Sequence, residues 1–136
     1  MKPALVDTDI LSLFFKRHPF VTARFDAYSQ QYGTINLSII TYYEIVSGLK
    51  HRDAQKKLAS FLAFAARNTV LALTEHSVTI AAEHYATLRK HGTPLPDIDL
   101  FIAGIALANN LILVTRNEKH FDRIEGLELA DWSQEC

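Results

Sequence analysis

Ala4-Leu5-Val6-Asp7-Thr8-Asp9 sets three apolar residues directly before two acids, and the same construction returns along the chain. Thr34-Ile35-Asn36-Leu37 ends at Ser38, Thr69-Val70-Leu71-Ala72-Leu73 precedes Thr74-Glu75, Leu111-Ile112-Leu113-Val114-Thr115 ends at Arg116, and Leu127-Glu128-Leu129 follows near the C-terminus. The runs are brief and mostly apolar on both faces, the pattern of strands covered on two sides. Between them Leu58, Phe61, Leu62 and Ala65 recur at helical spacing, as do Val78, Ala81, Ala82, Tyr85 and Leu88. Such helices are long enough to serve as crossovers. The pattern predicts an α/β fold: three layers, α/β/α, around a central, mainly parallel sheet. A further helix from about Asp99 to Asn109 carries Ala103, Gly104, Ala106 and Ala108, small residues that let it lie close against a neighbour.

The chain has 136 residues, 49% of them hydrophobic and 21% charged, with five Gly, four Pro and no linker or repeat. That reads as one domain over residues 1–136. A chain of this size buries enough surface to fold without disulfides or a structural metal. Cys136, the single cysteine, allows no intramolecular pair and suits a reducing compartment. Only Ala4-Leu5-Val6 precedes Asp7, too little for a signal peptide. The longest apolar run, Phe101 to Ala108, is well short of the roughly 18 residues a membrane helix needs. The expectation is a cytoplasmic protein with no membrane partner.

A formal charge of −1 argues, taken alone, against a nucleic-acid partner. Partitioned, it does not. Up to residue 117, and leaving aside Asp7, Asp9, Glu44, Asp97 and Asp99, twelve Lys and Arg stand against four acids. A basic body with an acidic pocket and tail is compatible with a phosphate backbone.

In an open parallel sheet, ligands bind beyond the carboxyl ends of the strands. Those ends deliver Asp7-Thr8-Asp9, then Ser38 with Glu44 on the helix behind it, then Thr115-Arg116-Asn117. Ser38 is a natural N-cap for that helix. Glu44, among Ile39, Ile40, Tyr42, Tyr43, Ile45 and Val46, either turns to solvent, pairs with a lysine such as Lys50, or joins the other acids. Asp97 and Asp99 open the next helix; Asp97 reads as its cap and Asp99 as the acid turned toward the sheet. Asp9 reads as the cap of the first helix. Brought to one edge, Asp7, Glu44 and Asp99 would repel one another unless a cation neutralised them, and a hard all-oxygen site selects Mg²⁺ or, as a substitute, Mn²⁺. Such a site hydrolyses phosphodiesters with an activated water and no protein nucleophile.

The segments Leu5-Val6-Asp7-Thr8-Asp9-Ile10-Leu11, Ser38-Ile39-Ile40-Thr41-Tyr42-Tyr43-Glu44, Asp97-Ile98-Asp99-Leu100-Phe101-Ile102-Ala103 and Leu113-Val114-Thr115-Arg116-Asn117-Glu118-Lys119-His120-Phe121 resemble, in this order, a PIN-domain ribonuclease of the VapC toxin type. The resemblance implies a Mg²⁺-dependent endoribonuclease, the toxin of a type II toxin–antitoxin pair, acting as a homodimer. It also implies inhibition by a VapB-type antitoxin whose C-terminal segment lays an Arg across the acids. By the same resemblance Asp7, Glu44 and Asp99 form the catalytic acidic site. Asp7 and Asp99 are its direct metal ligands, Glu44 is a ligand or orients the water, and the Thr115 hydroxyl supports the cluster. Asn117 stands where many members carry a fourth acid, which weakens the case for a second tightly held metal. Asp9 is secondary.

Two other readings use the same residues. Loss of activity would leave a PIN-like module that only binds protein or RNA. Alternatively, Asp7-Thr8-Asp9 resembles the nucleophile motif of haloacid-dehalogenase-like phosphatases, although no strand precedes Asp97 and no substrate-capping insertion is present. The six histidines show no paired spacing and read as surface or satisfied residues. Trp132 and Phe121 read as core, while Phe14, Phe15, Phe20, Tyr42 and Tyr43 exceed what one core face requires, so some should line an antitoxin groove or a dimer contact.

Overall fold

The computed structural model describes residues 1–135, so Cys136 and the reading attached to it lie outside the described residues. Five short strands, β1 (Ala4–Val6), β2 (Asn36–Ser38), β3 (Thr69–Leu71), β4 (Ile112–Val114) and β5 (Leu129–Ala130), form one sheet in the order β3-β2-β1-β4-β5. Every pairing is parallel. The helices are α1 (Thr8–Phe15), α2 (Pro19–Tyr32), α3 (Ile39–His51), α4 (Gln55–Ala66), α5 (Glu75–Lys90), α6 (Asp97–Ala108) and α7 (Glu118–Phe121).

Alternation along β1 divides the core. Ala4 and Val6 enter one apolar cluster with Ile10, Leu11, Val21, Phe25, Tyr28, Phe61 and Phe64, from α1, α2 and α4. Leu5 enters the other, with Leu113 and with Ala81, Leu88, Leu100, Ile102 and Ile105 from α5 and α6. The sheet is therefore covered on both faces, which explains why the strands read as apolar throughout. Trp132 and Phe121 are buried, one in each cluster, as the sequence reading expects of core residues.

The strands are shorter than the apolar runs. β3 stops at Leu71, where its partner β2 stops at Ser38 and gives way to α3. Near the C-terminus the paired residues are Leu129 and Ala130, against Leu113 and Val114, and Leu127 is buried in the α5/α6 core instead. Residues of α2 close the first face with a stack of aromatic rings: Phe14 lies 4.0 Å from Phe25, which in turn meets Trp132 edge-on at 5.5 Å. Phe15 and Phe20 are 42% and 41% exposed, so the surplus aromatic surface noted in the sequence does exist.

Gly104 marks the closest approach in the fold. A Cβ there would collide with the Ser77 backbone carbonyl of α5 and press on Ala81 Cβ at 3.3 Å. The Ser77 carbonyl is backbone and cannot swing aside. Gly104→Ala should therefore destabilise the protein by about 2 kcal/mol, despite the roughly 1 kcal/mol by which Ala is the better helix former. Urea unfolding of both proteins checks the sign, and an equal or higher midpoint for the variant would refute the close-approach account.

Candidate active site

The chain passes from β1 outward through β2 to β3, then returns to the other side of β1 as β4. The carboxyl ends of β1 and β4 thus flank the point where the winding reverses, the usual place for a ligand crevice. Asp7 and Thr115 occupy those ends. The Asp7 amide donates to the Val114 carbonyl at 2.9 Å, and the Thr115 hydroxyl donates to Asp7 Oδ2 at 2.8 Å. Asp7 Oδ1 accepts the Thr8 amide at 2.8 Å, which makes Asp7 itself the N-cap of α1.

This corrects the reading of Asp9 as the cap. Because α1 starts at Thr8, Asp9 already lies in its first turn, where its Oδ2 accepts the Arg116 amide at 3.1 Å. Asp9 Oδ1 is buried without a hydrogen-bond partner. Asp97 is corrected too. It is the first helical residue of α6, the N-cap position belongs to Pro96, no side chain caps the helix, and Asp97 is exposed.

Ser38 caps α3 as the sequence predicts, its Oγ accepting the Thr41 amide at 3.0 Å. Glu44 lies in the second turn of α3, part-buried and with no ion pair to Lys50 among the described residues. Glu44 Oε1 accepts from the Thr8 hydroxyl at 2.8 Å. Asp99 sits apart from this pair. Its Oδ2 lies 3.5 Å from His120 Nδ1, and His120 Nδ1 lies 3.1 Å from the Asn117 side-chain amide. The Asn117 backbone amide donates to the Thr115 hydroxyl at 3.0 Å. His120 Nδ1 thus faces both Asp99 and the Asn117 amide, and Asn117 in turn leads through Thr115 to Asp7.

Burial pushes the Asp7 carboxyl up to about 7, and the charges of Asp9 and Glu44 push the same way, against the hydrogen bonds from Thr115 and Thr8. Burial raises Asp9 as well, partly offset by the Arg116 amide. Asp99 is raised by burial and drawn back by His120. Among the described residues no three His, Cys, Asp or Glu side chains converge at metal-holding distances. The donor chemistry nevertheless fits a hard divalent cation. Asp7, Asp9 and Glu44 offer only oxygens, the charges of Asp9 and Glu44 add to burial in raising Asp7, and Asp9 Oδ1 is buried with no geometric hydrogen-bond partner among the described residues.

Three polar residues escaped the reading of individual side chains. Thr8 and Thr41 lay inside the quoted motifs without a role, and His120 was grouped with the scattered histidines. The spacing of His120 three residues beyond Asn117 was the available signal for the last.

The sequence of residues 4–127 matches the PIN domain family model. The chain belongs to the PIN-domain family. This PIN domain is 32% identical to the tRNA(fMet)-specific endonuclease VapC of Shigella flexneri over 95% of its own length and 97% of the relative's. It superposes on a chain of the DNA-bound VapBC structure from Salmonella typhimurium with a TM-score of 0.86 at 29% identity, covering 97% and 99% of the two chains. VapBC-1 from nontypeable Haemophilus influenzae gives a TM-score of 0.82 at 28% identity, covering 96% and 98%. No helix of this PIN domain, among the described residues, is long and apolar enough to cross a membrane.

The raised Asp7 has a consequence for stability. Between its unfolded value of 3.8 and about 7, the folded protein binds a proton that the unfolded chain does not. Stability without metal should thus fall as pH rises through that window, by up to about 1.4 kcal/mol per pH unit. Urea midpoints measured in EDTA should decline from pH 5 to pH 7 in the wild type relative to Asp7→Asn. Parallel pH profiles would show that Asp7 is not the responsible group.

Proposed function

We propose that this chain, acting as one PIN domain over residues 1–136, is a metal-dependent endoribonuclease and the toxin of a type II toxin–antitoxin pair. The observation that carries the reading is the acidic edge at the β1/β4 switch point, where burial and the charges of Asp9 and Glu44 all press on the Asp7 carboxyl. Asp7 and Asp99 would hold Mg²⁺, or Mn²⁺ in its place. When bound, such an ion neutralises the phosphodiester and acidifies the attacking water. Glu44 orients that water, Thr115 keeps Asp7 turned into the site, and Asp9 and Asp97 play supporting parts. Asn117 adds a neutral amide where a fourth acid would add charge, and it engages His120. A cytoplasmic location suits an RNA substrate, and the name of the Shigella relative makes tRNA(fMet) the first RNA to assay.

The VapBC structures that this fold superposes on support a VapB-type antitoxin as partner, and a homodimer is the toxin unit in this reading. A groove of about 660 Å³ between α1 and α2, lined by Phe14, Phe15, Arg17, Pro19, Thr22, Ala23 and Asp26, offers the antitoxin an apolar seat. Tyr43, 64% exposed, and Ile39 one turn before it offer a surface for the dimer contact.

Cleavage of tRNA(fMet) and of total RNA should require divalent metal, stop in EDTA, and fall at least about 100-fold in Asp7→Asn and Asp99→Asn. An intact wild-type chain that binds RNA or antitoxin but cuts neither RNA would establish the inactive-module reading instead. Phe15→Asp combined with Ala23→Asp, both lining the groove, should weaken binding of the antitoxin encoded beside the toxin by about tenfold or more, while RNA cleavage by the free toxin persists. Calorimetry of the co-purified partners reads the first effect, and unchanged affinity would remove the groove from the interface.

A further inference from the structure

The Thr41 hydroxyl is fully buried, in a place where a valine of nearly the same shape would bring no polar atom to satisfy. Capping of α3 does not need it, because the cap uses the Thr41 amide and Ser38 Oγ. Its hydroxyl contacts are elsewhere. Thr41 Oγ1 lies 3.3 Å from Ser38 Oγ and 3.0 Å from Thr8 Oγ1. Thr8 Oγ1 in turn lies 2.8 Å from Glu44 Oε1.

A hydroxyl has one proton to give and a carboxylate has none, so the far end makes Thr8 a donor. Thr8 donates, its one proton shared between Glu44 Oε1 at 2.8 Å and Thr41 Oγ1 at 3.0 Å, and Ser38 donates to Thr41 while accepting its amide. The contacts shorten toward the charged end, as charge-assisted bonds do. Two of the three hydroxyls, Ser38 and Thr41, have no solvent exposure, so water does not compete for them.

We propose that Ser38, Thr41 and Thr8 form a hydroxyl chain that positions the Glu44 carboxylate, with Thr8 and Thr41 as positioning residues for the reaction. The functional half of this rests on the nuclease reading above. Glutamate carries three rotatable bonds, and on a part-buried stretch of α3 only one of its oxygens is tied. Glu44 Oε1 is held by Thr8, whereas Oε2 receives no hydrogen bond among the described residues. Glu44's charge is felt at Asp7, so the tied oxygen fixes how the free one is presented toward the acidic edge. The chain also joins the first turn of α1 to the first turn of α3, so the carboxylate is referred to two strand ends, β1 and β2, and not to its own helix alone.

The test uses Thr8→Val and Thr41→Val, with Thr8→Ser and Thr41→Ser as conservative partners, in the full chain. In protein labelled with carboxyl-¹³C glutamate, the Glu44 resonance, assigned with Glu44→Gln, should move in both valine variants and return in both serine variants, while the other glutamates stay in place. With Mn²⁺ and tRNA(fMet), kcat should fall about tenfold or more in Thr8→Val and about threefold in Thr41→Val, with KM within about twofold, and serine should restore most of it. An unmoved Glu44 resonance overturns the proposal whether or not the chain cuts RNA. A moved resonance with kcat within about twofold of wild type, in a protein that Asp7→Asn inactivates, overturns the positioning role. A moved resonance in a wild type that cuts no RNA upholds the hydroxyl chain and places the failure with the nuclease reading. Should Thr41→Val fail to fold, Thr8→Val, at a part-exposed position, carries the same three outcomes.

Discussion

A carboxylate buried at the end of the central strand constrains everything around it. Asp7 closes β1 against β4 through its amide, caps α1 with one oxygen and receives the Thr115 hydroxyl on the other. Those donors favour the charged form, yet burial and two neighbouring acids outweigh them and leave the group near neutral pH. A position serving only structure would be better filled by Asn or Ser, which cap a helix as well and bring no charge into the interior. The acid persists at a cost, and a bound cation would remove it. The same logic extends to Asp9, whose second oxygen is buried without a donor.

The fold was legible because both faces of the sheet are covered. Ala4, Leu5 and Val6 point alternately into two separate cores, so each strand had to be apolar throughout, and that signal is visible without coordinates. Strand ends were less legible, since pairing stops where the partner strand turns into a helix, and Ala72 and Leu73 cannot register that event. Asp7 was visible for the same reason its strand was: it follows directly on an apolar run. Its hydrogen bonds were not. Whether Asp7 or Asp9 caps α1 depends on a two-residue difference in where the helix begins, and Asp97 loses the cap because Pro96 takes that position.

His120 shows a different limit. Its pairing with Asp99 spans 21 residues and depends on how α6 and α7 meet near the end of β4. No local pattern encodes that meeting. Thr41 is similar: three residues after Ser38 it reads as an ordinary first-turn residue, and only the arrival of Thr8 from α1 gives its hydroxyl a purpose.

The short strands have one more consequence. With three residues or fewer in each, the sheet is about 10 Å deep, so the helices that leave its carboxyl edge begin almost at the acids. α1 is capped by Asp7, α3 is capped by Ser38, and α6 starts two residues before Asp99. Each carries the partial positive charge of its first turn. The first turns of α1 and α3, which carry Thr8 and Thr41 beside Asp7 and Glu44, soften the repulsion between those carboxylates before any ion arrives.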